Sequence, residues 1–292
     1  MANILTADDW NDYELLDASD GEKLERFGEY ITIRPDPQVI WSKPREHPGW
    51  RGAHMCYHRS SRGGGNWEIC RQVPERWEIS WDKVCFHVRP TDFKHMGIFP
   101  EQAVNWRWIM DKLRGASRPD RQLRVLNLFA YTGGATLAAA AAGAQVCHID
   151  AAKAMNGWAK DNLVLSGLGD CPVRFLADDV MKFVAREKRR GNTYDAIIMD
   201  PPAYGRGPKG EMWKLEDELP ALVAACAEIL TINPIFMLVN VYTAGISPVA
   251  LENLLRLQGL SGGVESGEIG LRAATGPILP CGIYGRLIID GE

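Results

Sequence analysis

No stretch of this 292-residue chain is apolar for long enough to cross a bilayer: one of the longest runs, Ile235 to Val241, falls far short of the roughly 20 residues a spanning helix needs. The first twenty residues are acidic and lack the charged-then-apolar order of a secretion signal, so the cytosol is the expected compartment. The seven cysteines (Cys56, Cys70, Cys85, Cys147, Cys171, Cys226 and Cys281) are odd in number and include no C-x-x-C pair, which argues against a disulfide framework and against a zinc site. Positive charge is not in excess either. With 33 Lys and Arg against 37 Asp and Glu, the net charge of -4 argues against a scaffold wholly dedicated to nucleic acid, although a local basic patch can still serve. No internal repeat is visible. What is present, 46% hydrophobic and 24% charged residues, is ample for a globular core, and the length suits a large domain with a smaller one.

Residues 1 to about 20 read as a polar, acidic tail or lid, with structure beginning near Tyr13. Leu24 to Pro35 contains an alternating strand that stops at proline, and Val39-Ile40-Trp41 reads as a second. Trp67 to Cys70, Trp77 to Trp81 and Val84 to Val88 add short strands, so residues 1–92 are expected to form a small antiparallel β-domain. Between these strands, Ser42 to Gly65 mixes Lys43, Arg45, Arg51, Arg59 and Arg62 with Trp50, His and Tyr, and its only acid is Glu46. Cations neutralise phosphates and aromatic planes stack on unpaired bases, so this composition suits single-stranded or loop RNA. A solvated loop whose tryptophans cover the β-domain core is the competing reading.

Beyond an amphipathic helix over Pro100 to Arg114, strands and helices alternate as in a parallel α/β sheet, giving a second domain over 93–292. Strands are expected at Arg124–Phe129, Gln145–Asp150, Val173–Ala177, Tyr194–Asp200 and Ile235–Asn240. The main helices are expected at Lys153–Ser166, Val180–Arg190, Glu216–Leu230 and Pro248–Gln258. Gly263 to Leu271 and Ile283 to Ile289 read as a closing strand pair.

The first of these strands runs into Phe129-Ala130-Tyr131-Thr132-Gly133-Gly134 and then an alanine-rich helix, the pattern of a nucleotide cradle in which glycine lets a ligand lie against main-chain N–H groups. Asp150 ends the next strand at the spacing of a ribose-binding carboxylate. Because the turn lacks G-x-G-x-x-G, a cofactor without phosphates fits better than a dinucleotide. Asp178-Asp179 closes the third strand, where an acid accepts from an adenine amine or simply caps the next helix. The fourth strand stops at Asp200-Pro201-Pro202, with Tyr204 beyond. The prolines hold a carboxylate and carbonyls rigid at the carboxyl end of the sheet, and the ring stands ready to stack on a flat substrate.

This ordered set, Asn127 to Gly133, Asp150, Asp178-Asp179 and Asp200-Pro201-Pro202, resembles the class I S-adenosylmethionine-dependent methyltransferases. The likeness is greatest to the large-subunit ribosomal RNA methyltransferase group with its cytosine-C5 and guanine-N7 members. The resemblance implies a Rossmann-like seven-stranded sheet, mostly parallel with a C-terminal antiparallel hairpin. It implies that Phe129, Ala130, Tyr131, Thr132 and Gly133 line the methionine part of S-adenosyl-L-methionine, with Asp150 on the ribose and Asn127 also among the cofactor-binding residues. One of Asp178 and Asp179, preferentially Asp179, would bind the adenine. Asp200, Pro201, Pro202 and Tyr204 would face the methyl donor and the target, and Phe99 and Gln102 would close over the cofactor.

One departure bears on chemistry. Cytosine-C5 members place a cysteine just after the fifth strand to attack the pyrimidine, whereas Leu238 to Thr243 contains none, and Cys226 and Cys281 are poor substitutes. A nitrogen acceptor on an RNA base is therefore expected, with no metal. The alternatives are an NAD-dependent Rossmann oxidoreductase, transfer to a protein or small molecule, and an RNA-binding module without catalysis.

Overall fold

The computed structural model describes residues 4–60, 64–116, 118, 120–206, 210, 212–242 and 245–289. It divides into two compact units. Leu5–Val104 with Ile269–Cys281 form one; Met1–Ile4, Asn105–Glu268 and Gly282–Glu292 form the other.

The first unit carries β1 (Ile4–Thr6), β2 (Tyr13–Ser19), β3 (Glu22–Phe27), β4 (Tyr30–Pro35), the short helix α1 (Gly49–Gly52), β5 (Met55–Arg59), β6 (Gly65–Ile69), β7 (Trp77–Trp81) and β8 (Val84–Val88). β2 to β6 form one sheet in chain order and β7 pairs with β8. Asp20 and Gly21, between β2 and β3, take φ of 55° and 79°, the left-handed pair that makes a tight hairpin and explains why Asp-Gly stands there. The sheet is not wholly antiparallel, since β4 and β5 run parallel.

Three expectations change. The segment before residue 20 is not merely a tail: Leu15, Leu16 and Ala18 of β2 are buried, and Asp17 is fully buried beside Lys43, whose Nζ lies 2.5 Å from its Oδ1. Val39 to Trp41 is no strand but an irregular segment held through Gly21 N–H to Val39 O and Asp20 N–H to Trp41 O. Ser42 to Gly65 is not one loop, since it holds α1 and β5, where Met55 and Tyr57 are buried.

The unit's interior holds an ionic cluster. Glu25, fully buried on β3, receives Arg34 Nε at 2.7 Å, Arg34 Nη2 at 2.6 Å and the Tyr13 hydroxyl at 2.9 Å. Burial alone would raise its carboxyl, but the charges of Arg34 and Lys23 and these hydrogen bonds outweigh it and bring it down to about 2 from 4.5. A carboxyl lowered by folding stabilises above its unfolded value and loses that contribution as pH falls from 4.5 toward 2. Chemical unfolding of the chain should therefore become easier by about 3 kcal/mol over this window on Glu25's account. Glu25→Gln should flatten that share of the acid dependence, and an unchanged slope in the variant would contradict the assignment.

After a 3-10 turn, Pro100–Gln102, that still belongs to the first unit, the chain continues with α2 (Ala103–Gly115), β9 (Arg124–Leu128), α3 (Gly134–Ala141), β10 (Gln145–Asp150), α4 (Lys153–Leu165), β11 (Val173–Ala177), α5 (Val180–Arg190), β12 (Ala196–Met199), β13 (Tyr204–Arg206), β14 (Met212–Lys214), α6 (Leu215–Ala227), β15 (Phe236–Val241), α7 (Pro248–Arg256), β16 (Gly263–Arg272) and β17 (Ile278–Ile288), of which residues 105–268 and 282–289 belong to the second unit. The large sheet has the strand order β1-β16-β17-β15-β12-β9-β10-β11, eight strands where seven are expected. β9, β10, β11, β12 and β15 pair in parallel, and β17 returns antiparallel to β15. The parallel strands read as unbroken apolar runs because helices cover both faces: Val125, Leu126, Leu128, Ile197, Met199 and Met237 to Val239 are all fully buried. The chain builds outward from β9 through β10 to β11, then returns to β12 on β9's other side. That reversal opens a crevice at the carboxyl ends of β9 and β12, where ligands of such sheets bind. Among the described residues no helix is long and apolar enough to cross a membrane.

Candidate functional site

The turn after β9 is built from unusual backbone. Phe129 (φ 55°), Tyr131 (φ 49°) and Gly133 (φ 93°) are all left-handed, a conformation costly for the two aromatic residues and typical of functional turns. Main-chain bonds hold it: Ala130 N–H to Ile149 O at 3.0 Å, Gly133 N–H to Ala130 O at 3.0 Å, and Tyr131 N–H to Asp150 Oδ2 at 2.8 Å. The Phe129 ring packs on Trp213, centroids 4.8 Å apart. Gly134 opens α3 where a Cβ would lie 2.4 Å from the Trp106 ring, so helix and turn approach only because that residue is glycine.

Asp150 closes the side of the crevice. Its Oδ2 accepts from Tyr131 and its Oδ1 from Ala152 N–H at 2.8 Å, and burial raises its carboxyl despite both bonds. Two acceptor oxygens with one protein donor each retain lone pairs for a ligand's hydroxyls. Asp179 caps α5, accepting Lys182 N–H at 2.9 Å, while Asp178 pairs with Arg186 and accepts Asp179 N–H. Asp200 follows β12 and prolongs its ladder through its N–H to Leu128 O at 3.3 Å. Pro201 is buried, and Pro202 O accepts the Trp213 indole N–H at 2.7 Å. Tyr204 is exposed and held not by the prolines but by the β13–β14 hairpin, opposite Lys214, with its hydroxyl 3.3 Å from Met212 Sδ. The turn after β9, Asp150, Asp178-Asp179 and Asp200 thus all stand at carboxyl ends of adjacent parallel strands.

Several expected residues also have partners within the protein. Asn127 is buried and donates to Thr136 Oγ1 at 2.9 Å. That hydroxyl lies 2.9 Å from Nδ1 of His148, which burial holds neutral by pushing it down to about 3. Thr132 is buried as well, its carbonyl taken by Asn162 Nδ2 at 2.9 Å. Phe99 and Gln102 belong to the first unit, Phe99 beside His95 and Gln102 buried in the 3-10 turn.

The basic segment is partly neutralised within its own unit. Lys43 is paired with Asp17; Arg45 is paired with Asp20 and Glu22 and stacks on Trp50 at 4.2 Å, and the Trp50 indole donates to Asp17. Arg51 and Arg59 are exposed without an acidic partner among the described residues, and Arg62 lies outside them. Sequence reading missed Trp213, Asn240, Asn105 and Arg286. Only Asn240, a polar residue closing an apolar strand, carried a local signal.

A reversal of strand order with acids at successive strand ends defines a Rossmann-like protein that holds a nucleoside cofactor. The family described as S-adenosylmethionine-dependent methyltransferase matches residues 44–247. A solved SAM-dependent methyltransferase from Agrobacterium tumefaciens is 40% identical, with a TM-score of 0.93 covering 98% of this chain and 93% of that one. A second solved methyltransferase, complexed with S-adenosylhomocysteine, shares the fold at 18% identity, with a TM-score of 0.73 over 96% of this chain and 76% of that one. A curated relative from Shewanella frigidimarina, ribosomal RNA large subunit methyltransferase K/L, is 29% identical over 51% of this chain, and the chain spans only 20% of that relative's length. The chain belongs to the S-adenosylmethionine-dependent methyltransferases. Its cofactor is S-adenosylmethionine, and the dehydrogenase alternative falls away.

Proposed function

We propose that the methyl acceptor is a nitrogen of a base in ribosomal RNA. The observation that carries this reading is the acid without a thiol: Asp200 stands at the strand end, and no cysteine lies in 129–133, 150–152, 178–179, 200–204 or 240–244. Cys226 is fully buried in α6, where desolvation drives its thiol far up; Cys281 is likewise raised, by burial first and by Glu101 next. Neither offers the thiolate that carbon methylation of a pyrimidine needs. The curated relatives named as ribosomal RNA methyltransferases support the substrate class.

Bound in the crevice, S-adenosylmethionine supplies a sulfonium-activated methyl. Asp150 accepts the ribose hydroxyl hydrogens, and the free oxygen of Asp179 accepts from the adenine amine, with Asp178 the alternative acid. The turn Phe129 to Gly133 lines the methionine part. Asp200 accepts hydrogen from the attacking nitrogen, Pro201 and Pro202 hold it in place, and Tyr204 stacks on the base. Catalysis is mainly positioning and exclusion of water. In the domain division expected at residue 92, the N-terminal part holds the RNA, with Arg51 and Arg59 on phosphates while Lys43, Arg45 and Trp50 keep the segment in shape through Asp17, Asp20 and Glu22. Incubating purified protein and labelled cofactor with total RNA from a deletion strain, then analysing nucleosides by mass spectrometry, should reveal one N-methylated base. A C-methylated base, or no label in RNA, would refute this reading.

A further inference from the structure

A polar relay runs through the second unit. Arg286 of β17 is buried, its guanidinium carbon 4.5 Å from the ring centroids of both Trp108 and Tyr284. Its Nη1 reaches Glu265 Oε1 at 2.8 Å and its Nη2 reaches Asn105 Oδ1 at 2.7 Å. Asn105 Nδ2 in turn lies 2.9 Å from Asn240 Oδ1. Amide oxygen and nitrogen are hard to tell apart by shape, but here chemistry decides. A guanidinium has five donors and no acceptor, so Asn105 must turn its oxygen to Arg286 and its NH2 to Asn240. Asn240 then spends its oxygen, and its own NH2 has no partner among the described residues.

Asn240 stands one step beyond the last paired residues of β12 and β15, Met199 opposite Val239, and is thus the strand neighbour of Asp200. Residues paired across adjacent strands share a face. The crevice edge therefore carries a donor beside an acceptor. We propose that Asn240 is a specificity residue whose amide N–H binds the acceptor atom next to the methylated nitrogen, and that Asn105 and Arg286 are positioning residues that fix which way this amide points. The matching ligand edge is amidine- or amide-like: a hydrogen-bearing nitrogen adjoining a carbonyl oxygen or an unprotonated ring nitrogen, as on the pairing edge of a nucleobase. This rests on the RNA reading above.

Asn105→Asp is the informative variant. The carboxylate keeps the bond to Arg286 but can only accept, so Asn240 must rotate and donate to it, presenting oxygen where it had presented NH2. Asn240→Asp makes the same donor-to-acceptor change directly. With ribosomal RNA from a deletion strain as acceptor, both variants should lose more than about tenfold in kcat/KM. Calorimetric S-adenosylmethionine affinity should stay within about twofold, with thermal unfolding close to wild type. Wild-type kcat/KM in both variants overturns the proposal. So does a loss matched by equal loss of cofactor binding or stability, which would make the relay a structural tie. If wild-type protein itself labels no RNA, the RNA reading fails first and this proposal with it.

Discussion

Asp195→Ala is expected to lower the unfolding free energy by about 3 kcal/mol, measured by denaturant titration of the full chain. Asp195 is fully buried just before β12 and serves several elements at once. Its carboxylate receives both Nη atoms of Arg121 at 2.6 Å, Arg124 N–H at 2.8 Å and the Thr231 hydroxyl at 3.2 Å. Its own N–H goes to Arg124 O, and its carbonyl takes Ile235 N–H. One side chain thus ties the entry of β9 to that of β12, while its backbone reaches the segment entering β15. Removing it strands donors around a buried gap. Arg121 can still reach water, which keeps the cost below that of a wholly buried pair. Asp195→Asn, which retains one acceptor oxygen, should cost less. Equal stability of the alanine variant and wild type would show that the tie contributes nothing.

Asp150→Ala should weaken S-adenosylmethionine binding by about 100-fold in calorimetry, the value of two charge-assisted hydrogen bonds to ribose hydroxyls. The variant also releases Tyr131 N–H, so the left-handed turn loses one of the bonds that hold Phe129 and Tyr131 in a disfavoured conformation. Both effects act on the cofactor and little on the core, because Leu128, Ile149 and their neighbours keep their packing. Asp150→Asn should fall between, retaining one acceptor. An unchanged dissociation constant in Asp150→Ala would remove the ribose role and, with it, the cradle as drawn.

The parallel part of the fold was legible because its strands are apolar runs bounded by turn residues, and each bound falls within a residue or two of the observed one. The signals that failed share a cause. β2 breaks alternation because a bulge lies between Leu15 and Asp17 and nearly all of the strand is buried, so the start of structure near Tyr13 was legible but not its identity as a strand. β13 and β14 have three residues each, too few for a periodic pattern. Val39-Ile40-Trp41 has the composition of a strand, but its bonds go to the hairpin turn at Asp20-Gly21. The basic segment looked free of acids because only Glu46 lies within it, whereas Asp17, Asp20 and Glu22 reach it from β2, β3 and the turn between them.

By itself the sequence determined the order of the cradle turn, the strand-end acids and Asp-Pro-Pro, and hence the cofactor, since these depend on backbone freedom and on which residues end a strand. Only the tertiary structure decided which polar groups are already spent. Asn127 is committed to Thr136, Lys43 and Arg45 to acids of their own unit, and Asn240 through Asn105 to Arg286. A hydrogen bond or ion pair is fixed by distances of about 3 Å between groups that can lie far apart along the chain. No pattern of neighbours in sequence encodes that distance.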